Sequence, residues 1–163
     1  YLLLLKGPTM TVTAKTKDLN RMYTRLRDTQ FSLYENYARK RGLQSKSLLI
    51  LLWLYHTPGG ISQHSIAMRT YSTKQVVNAT VKSFARKGYI AVTASAEDKR
   101  KKLLTLTDTG RDFAASVIEP MDKAEEKALA RLTAEQQETL VQTTALFAEK
   151  LTEELMLLAN RKD

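Results

Sequence analysis

The chain has 163 residues, 43% of them hydrophobic, with 26 Lys and Arg against 17 Asp and Glu. That is enough to bury a core as one medium-sized domain, and it excludes a disordered tail or a fibre. Only 6 Gly and 3 Pro favour helix over a turn-rich sandwich, and the absence of Cys excludes disulfides, a thiolate sensor, Cys-ligated zinc and a catalytic cysteine.

The net charge of +9 points to a polyanion, either nucleic acid or an anionic membrane surface. It is polarised along the chain: residues 1–61 and 62–111 each carry +7, and residues 112–163 carry −5. A basic front and middle followed by an acidic, Leu-rich end suggests a polyanion-binding module joined to a helical assembly module. His56 and His64 form no close pair and no His-x-x-x-His run, so neither a metal nor another cofactor is expected. There is no glycine-rich phosphate loop and no evident carboxylate or nucleophile beside either His, so the chain does not read as an enzyme.

The first Met is Met10, and residues 1–9 read as vector-derived or disordered leader, with residues 10–163 as a single domain. The apolar runs Leu2–Leu5 and Leu48–Tyr55 are far shorter than the roughly 20 residues of a membrane span. A soluble, cytoplasmic protein with no membrane partner is expected. Lys17 to Arg41 contains no Pro or Gly and places Leu19, Met22, Tyr23, Leu26, Leu33, Tyr34 and Tyr37 at helical spacing, a long amphipathic helix stopped by Gly42. Ser45 or Ser47 starts a second helix, apolar nearly all round and therefore central, which ends before Pro58-Gly59-Gly60.

Ser62 is placed to cap a short third helix running to about Arg69, with Ile61 and Ile66 as a hydrophobic staple. Ser72-Thr73-Lys74-Gln75 reads as a capping box with Ser72 as N-cap of a fourth helix. On that helix Val77, Val81 and Phe84 share one face, and Gln75, Asn78 and Lys82 lie nearly opposite. Two short helices joined by a tight turn make a helix-turn-helix candidate. After Gly88, residues 89–93 and 103–106 read as two strands, and the hairpin loop between them carries four consecutive cations, Lys99, Arg100, Lys101 and Lys102.

In this stretch the chain resembles the MarR-type winged helix-turn-helix transcriptional regulators. The resemblance rests on Lys87-Gly88-Tyr89-Ile90, Asp98-Lys99-Arg100-Lys101-Lys102 and Leu106-Thr107-Asp108-Thr109-Gly110-Arg111, in that order and spacing. It implies a mainly α fold with a small β-hairpin wing, in which residues 44–107 form the DNA-binding lobe and residues 17–41 and 108–160 form dimerisation helices. It further implies that Arg100 enters the minor groove and that Asp98 holds the wing in shape. The bottom-up reading agrees, since a narrow minor groove attracts Arg and repels an aspartate that organises no cation; a solvated charge run is the alternative.

Thr73, Lys74, Gln75, Asn78 and Lys82 are the candidates for major-groove contact, because Gln and Asn can pair with adenine and Lys with guanine or phosphate, and Ser72 before them is a further DNA-binding candidate. Ser62, Gln63 and His64 open the preceding helix, where phosphate binding and plain capping can both hold.

Beyond the hairpin, Thr107 caps a helix from Asp108, with Pro120 predicting a kink or break. Thr133-Ala134-Glu135-Gln136 is a further capping box, opening a helix with a stripe of Leu140, Thr144, Phe147, Leu151, Leu155 and Leu158. That stripe, with Leu19 on the first helix, resembles the family's dimerisation module and implies a twofold homodimer on double-stranded DNA. The resemblance also implies a small-molecule cleft. Tyr23, Tyr34, Tyr37, Trp53, His56 and Phe113 are candidates to line it for an aromatic or amphipathic effector, with an ordinary core role as the alternative. A non-specific architectural DNA-binding or membrane-surface protein fits the charge but not the capped helix pair and wing.

Overall fold

A computed structural model describes residues 11–95 and 102–159. The leader and the wing residues Asp98, Lys99, Arg100 and Lys101 lie outside the described residues. The elements run α1 (Ala14–Lys40), α2 (Ser45–Tyr55), α3 (Gln63–Thr70), α4 (Lys74–Arg86), β1 (Ile90–Ala94), β2 (Lys102–Leu106), α5 (Asp108–Leu129) and α6 (Ala134–Ala159). The expected class, mainly α with one small hairpin, is the class observed. The chain divides into two compact units, one up to Arg111 and one from Asp112 onward.

In the first unit α1 begins three residues before Lys17, because Thr13 caps it by accepting the Thr16 N–H at 3.1 Å. It ends where the Leu43 N–H donates to the Ala38 carbonyl at 2.9 Å, a Schellman closure over Gly42. α2 starts at Ser45, one of the two expected positions, and its N-cap is Gln44, which makes no side-chain cap bond. Its Leu48, Ile50, Leu51 and Leu54 are buried, and they share the core with Ile66, Val77, Phe84 and Leu104. The near-continuous apolarity of α2 thus marks the centre of this unit, as its pattern predicts.

β1 and β2 pair antiparallel from Ile90↔Leu106 to Ala94↔Lys102. Ile61 exchanges two backbone bonds with Leu104, at 3.0 and 2.9 Å, on the opposite edge of β2. The hairpin is thereby tied to the segment that enters α3. Tyr89, predicted as the first strand residue, instead closes α4: its N–H reaches the Phe84 carbonyl at 2.9 Å over Gly88, whose φ is +70°.

Of the kink or break expected at Pro120, the break does not occur, and α5 runs continuously through it. Proline removes only the bond to the Ser116 carbonyl, and both residues are exposed, so water can satisfy that oxygen while the flanking turns hold the helix. The capping box at α6 forms reciprocally: Thr133 N–H donates to Gln136 Oε1 at 3.0 Å, and Gln136 N–H to Thr133 Oγ1 at 3.2 Å. No residue of α6 is buried. On its outer surface Lys150 donates to Glu149 and Glu153 at 2.9 and 3.0 Å. These bonds push the Lys150 ammonium up to about 12, and the bond from Lys150 holds Glu149 below its ordinary value.

Candidate nucleic-acid interface

The site is assembled from α3, the turn after it, and α4. Ser62 caps α3 as expected, its Oγ accepting the Ser65 N–H at 3.0 Å, and both staple residues, Ile61 and Ile66, are buried. The entry of α3 is therefore set within five residues of sequence. Its exit is set by longer reach. Lys46 of α2 donates to the Thr70 carbonyl at 2.8 Å, and the Arg69 guanidinium stacks 4.6 Å over the Trp53 ring.

The start of α4 corrects one expectation. Thr73, not Ser72, is the N-cap, its Oγ1 accepting the Val76 N–H at 3.3 Å. The reason lies in the turn. Tyr71 is left-handed, which brings the Ser72 N–H to the Ala67 carbonyl at 3.0 Å and the Ser72 hydroxyl to 2.8 Å from that of Thr70. Ser72 is spent closing α3, so the next hydroxyl opens α4. With Thr73 as cap the third helical residue is Val76, and the expected pairing with Gln75 does not form.

The two faces of α4 separate as predicted. Val77, Val81 and Phe84 are buried, while Lys74, Gln75, Asn78 and Lys82 are exposed. Gln63, His64, Lys74, Gln75, Val77 and Asn78 together line a notch of about 320 Å³. Residues proposed separately for the two helices thus converge on one concavity, with an apolar floor at Val77. Four of these six residues, Gln63, His64, Lys74 and Gln75, belong to the first turns of α3 and α4. Lys82 lies a turn beyond Asn78 on α4, Lys102 is exposed at the head of β2, and Ser72 is half-buried in the turn.

The hairpin springs from a single junction. Thr107 Oγ1 donates to the Gly88 carbonyl at 2.6 Å and accepts the Gly110 N–H at 3.0 Å, while the Thr107 N–H donates to the Tyr89 carbonyl at 3.0 Å. A Cβ on Gly110 would overlap that Tyr89 carbonyl. The motifs around Gly88 and Gly110 are therefore two halves of one clasp, which fixes where the hairpin leaves α4.

Of the candidate effector residues, Tyr23 and Tyr34 are exposed on one face of α1, and Tyr37 is half-buried with Arg41 5.2 Å over its ring. Trp53 is covered by Arg69, His56 meets Tyr55 edge-on at 5.3 Å, and Phe113 is half-buried. None of the six lines the notch at α4, the cavity beside Ser47 and Thr80, or the one beside Glu35 and Arg39. The candidate dimerisation residues Leu19, Leu140, Phe147, Leu151, Leu155 and Leu158 are all exposed. Among the described residues no group of three or more His, Asp and Glu is placed to hold a metal, and no helix is long and apolar enough to cross a membrane.

Sequence reasoning missed three residues at this surface. Val76 is exposed on α4 and, at 100° from Val77, periodicity alone could have set it off the core face. Lys46 and Tyr71 carried no local signal.

Comparison with known proteins agrees with this arrangement. Residues 41–101 match the MarR family. The transcriptional regulator HosA of Escherichia coli is 32% identical over 83 residues, 51% of this chain and 62% of HosA, so the chain spans less than two thirds of that relative. The fold is similar to that of Staphylococcus aureus MepR in its DNA complex, with a TM-score of 0.66 at 19% identity over 82% of this chain and 97% of that one. It is also similar to CouR of Rhodococcus jostii bound to p-coumaroyl-CoA, with a TM-score of 0.64 at 17% identity over 93% of this chain and 98% of that one. The helix pair α3 and α4 and the strand β1 thus lie within a stretch of the chain that matches the MarR family, and the fold around them is similar to that of solved regulators.

Proposed function

We propose that the protein is a sequence-specific double-stranded DNA-binding transcriptional regulator, a cytoplasmic homodimer that represses from a pseudo-palindromic operator and is relieved by a small aromatic or amphipathic ligand. In this reading residues 10–163 act as one functional domain, with residues 44–107 as the DNA-binding lobe. The observation that carries it is the two-sided α4, buried on Val77, Val81 and Phe84 and exposed on Lys74, Gln75, Asn78 and Lys82, beside a notch shared with Gln63 and His64. Base-reading side chains on a helix seated by its opposite face are what major-groove recognition requires. In the same reading Ser62, Gln63 and His64 would meet backbone phosphate, Ser72 and Thr73 would stand with the DNA-contacting residues at the start of α4, and Arg100, with Asp98 as organiser and Lys99, Lys101 and Lys102 beside it, would reach the adjoining minor groove.

The exposed Leu stripe of α6 and Leu19 of α1 support a second copy as partner, since each Leu fully removed from water stabilises an assembly by about 1.5–3 kcal/mol. DNA in the MepR complex and the acyl-CoA in CouR are properties of those proteins that support the DNA and effector parts of the reading.

The test is selection of the purified protein against a random duplex pool near physiological salt. Enrichment of an inverted repeat with half-site centres about 10 base pairs apart is expected. Retention of DNA without enrichment would favour a non-specific architectural role, and retention of none would remove the DNA reading.

A further inference from the structure

Tyr71, in the turn joining α3 to α4, has φ 47° and ψ 44°. It is the only non-glycine residue with positive φ among those described. A residue bearing a Cβ is strained there, glycine is not, and asparagine is only mildly so. Such strain persists when the surroundings over-determine it, and here they do. The Ser72 N–H is held by the Ala67 carbonyl at 3.0 Å, and Lys46 grips the Thr70 carbonyl at 2.8 Å. None of these bonds uses the tyrosine side chain. It is 94% exposed, and its hydroxyl bonds no described residue. Folding therefore gains nothing from the ring and bears a backbone cost for having it.

The surroundings indicate what meets it. From Asn36 to Ala96 the chain has no acidic residue and nine Lys and Arg. Tyr71 stands two residues before the α4 cap and three before Lys74, which lines the notch. A polyanion seated on the N-terminal turn of α4 comes within reach of a phenol displayed there.

We propose that Tyr71 is a preset contact to the DNA backbone, its hydroxyl donating to a phosphate oxygen beside the groove that α4 enters. The inference rests on the DNA-binding reading above. A neutral donor of this kind positions the protein without releasing a counterion, unlike Lys74 or Lys82.

The experiment uses the whole protein with the selection-enriched duplex and a random-sequence duplex of equal length, each titrated across a salt series. Tyr71→Phe is expected to weaken both duplexes about three- to ten-fold with an unchanged salt slope. Tyr71→Asn is expected to weaken them at least as much while its thermal midpoint stays level or rises, because Asn tolerates the left-handed backbone. A purely structural tyrosine cannot produce that opposite pair of shifts. If wild-type protein binds and both variants bind equally well, the assignment falls and the DNA reading stands. An Asn variant whose affinity loss is matched by a lower midpoint also overturns it. Wild-type protein that retains neither duplex overturns the DNA reading, and this inference with it.

Discussion

The Gly110 position is decided by a single missing atom. A Cβ there would sit 2.6 Å from the Tyr89 carbonyl carbon, against backbone that Thr107 already holds by its N–H and hydroxyl. No flexible side chain can yield, so Gly110→Ala should cost about 3 kcal/mol or more, read as a drop in denaturant midpoint; a loss below about 1 kcal/mol would mean the clasp is soft. The caps of α4 allow a finer comparison. Thr73→Ala should cost about 1 kcal/mol, the usual value of an N-cap, whereas Ser72→Ala gives up two bonds within the turn, both to Thr70, whose hydroxyl keeps the Ile66 carbonyl and whose carbonyl keeps Lys46, and should cost less. The reverse order would return the cap to Ser72.

At the scale of elements, the proposed reading gives α4 and the hairpin loop two different kinds of DNA contact, which mutation can separate. Asn78 lies on the exposed face within the notch, where a bidentate amide would read adenine. Asn78→Ala should reduce discrimination at one base pair by about 1–3 kcal/mol and barely change affinity for random DNA. Arg100→Ala in the hairpin loop should weaken every duplex and lower the salt slope by about 1. Anisotropy titrations over a salt series measure both, and identical behaviour of the two variants would remove the assigned roles.

Most of α1 to α4 was legible in sequence because caps, glycine ends and a 3.6-residue period are encoded within a few residues. The start of α4 was displaced by one position because the left-handed Tyr71 commits Ser72 to the preceding helix. Of the kink or break offered at Pro120, the break does not occur, since an exposed carbonyl tolerates the loss of its partner.

At the scale of the whole molecule, the exposed stripe of α6 is the feature that one chain leaves open. Leu155 is 54% and Leu158 59% exposed, although their spacing is that of a buried face. A carboxylate in such a seam would lose its hydration without a counter-charge. In the proposed dimer, Leu155→Asp should therefore raise the dissociation constant by about 100-fold or more, seen by light scattering as a monomer at micromolar concentration. The same variant should then prefer an isolated half-site to the inverted repeat, because spacing between half-sites is read only by a dimer. A wild-type protein that is already monomeric would refute the assembly.

The sequence by itself determined the helical class, the two-sided α4, the hairpin after Gly88, the reciprocal cap at Thr133 and the separation of basic from acidic segments. Each follows from charge or from hydrogen bonding and periodicity over a few neighbouring residues. The tertiary structure alone decided which hydroxyl caps α4, why Gly110 must lack a side chain, and that Tyr71 is held out to solvent. Those outcomes depend on bonds such as Lys46 to Thr70 and Thr107 to Gly88, which join positions 24 and 19 residues apart. No local propensity encodes a strain that only distant partners can hold in place.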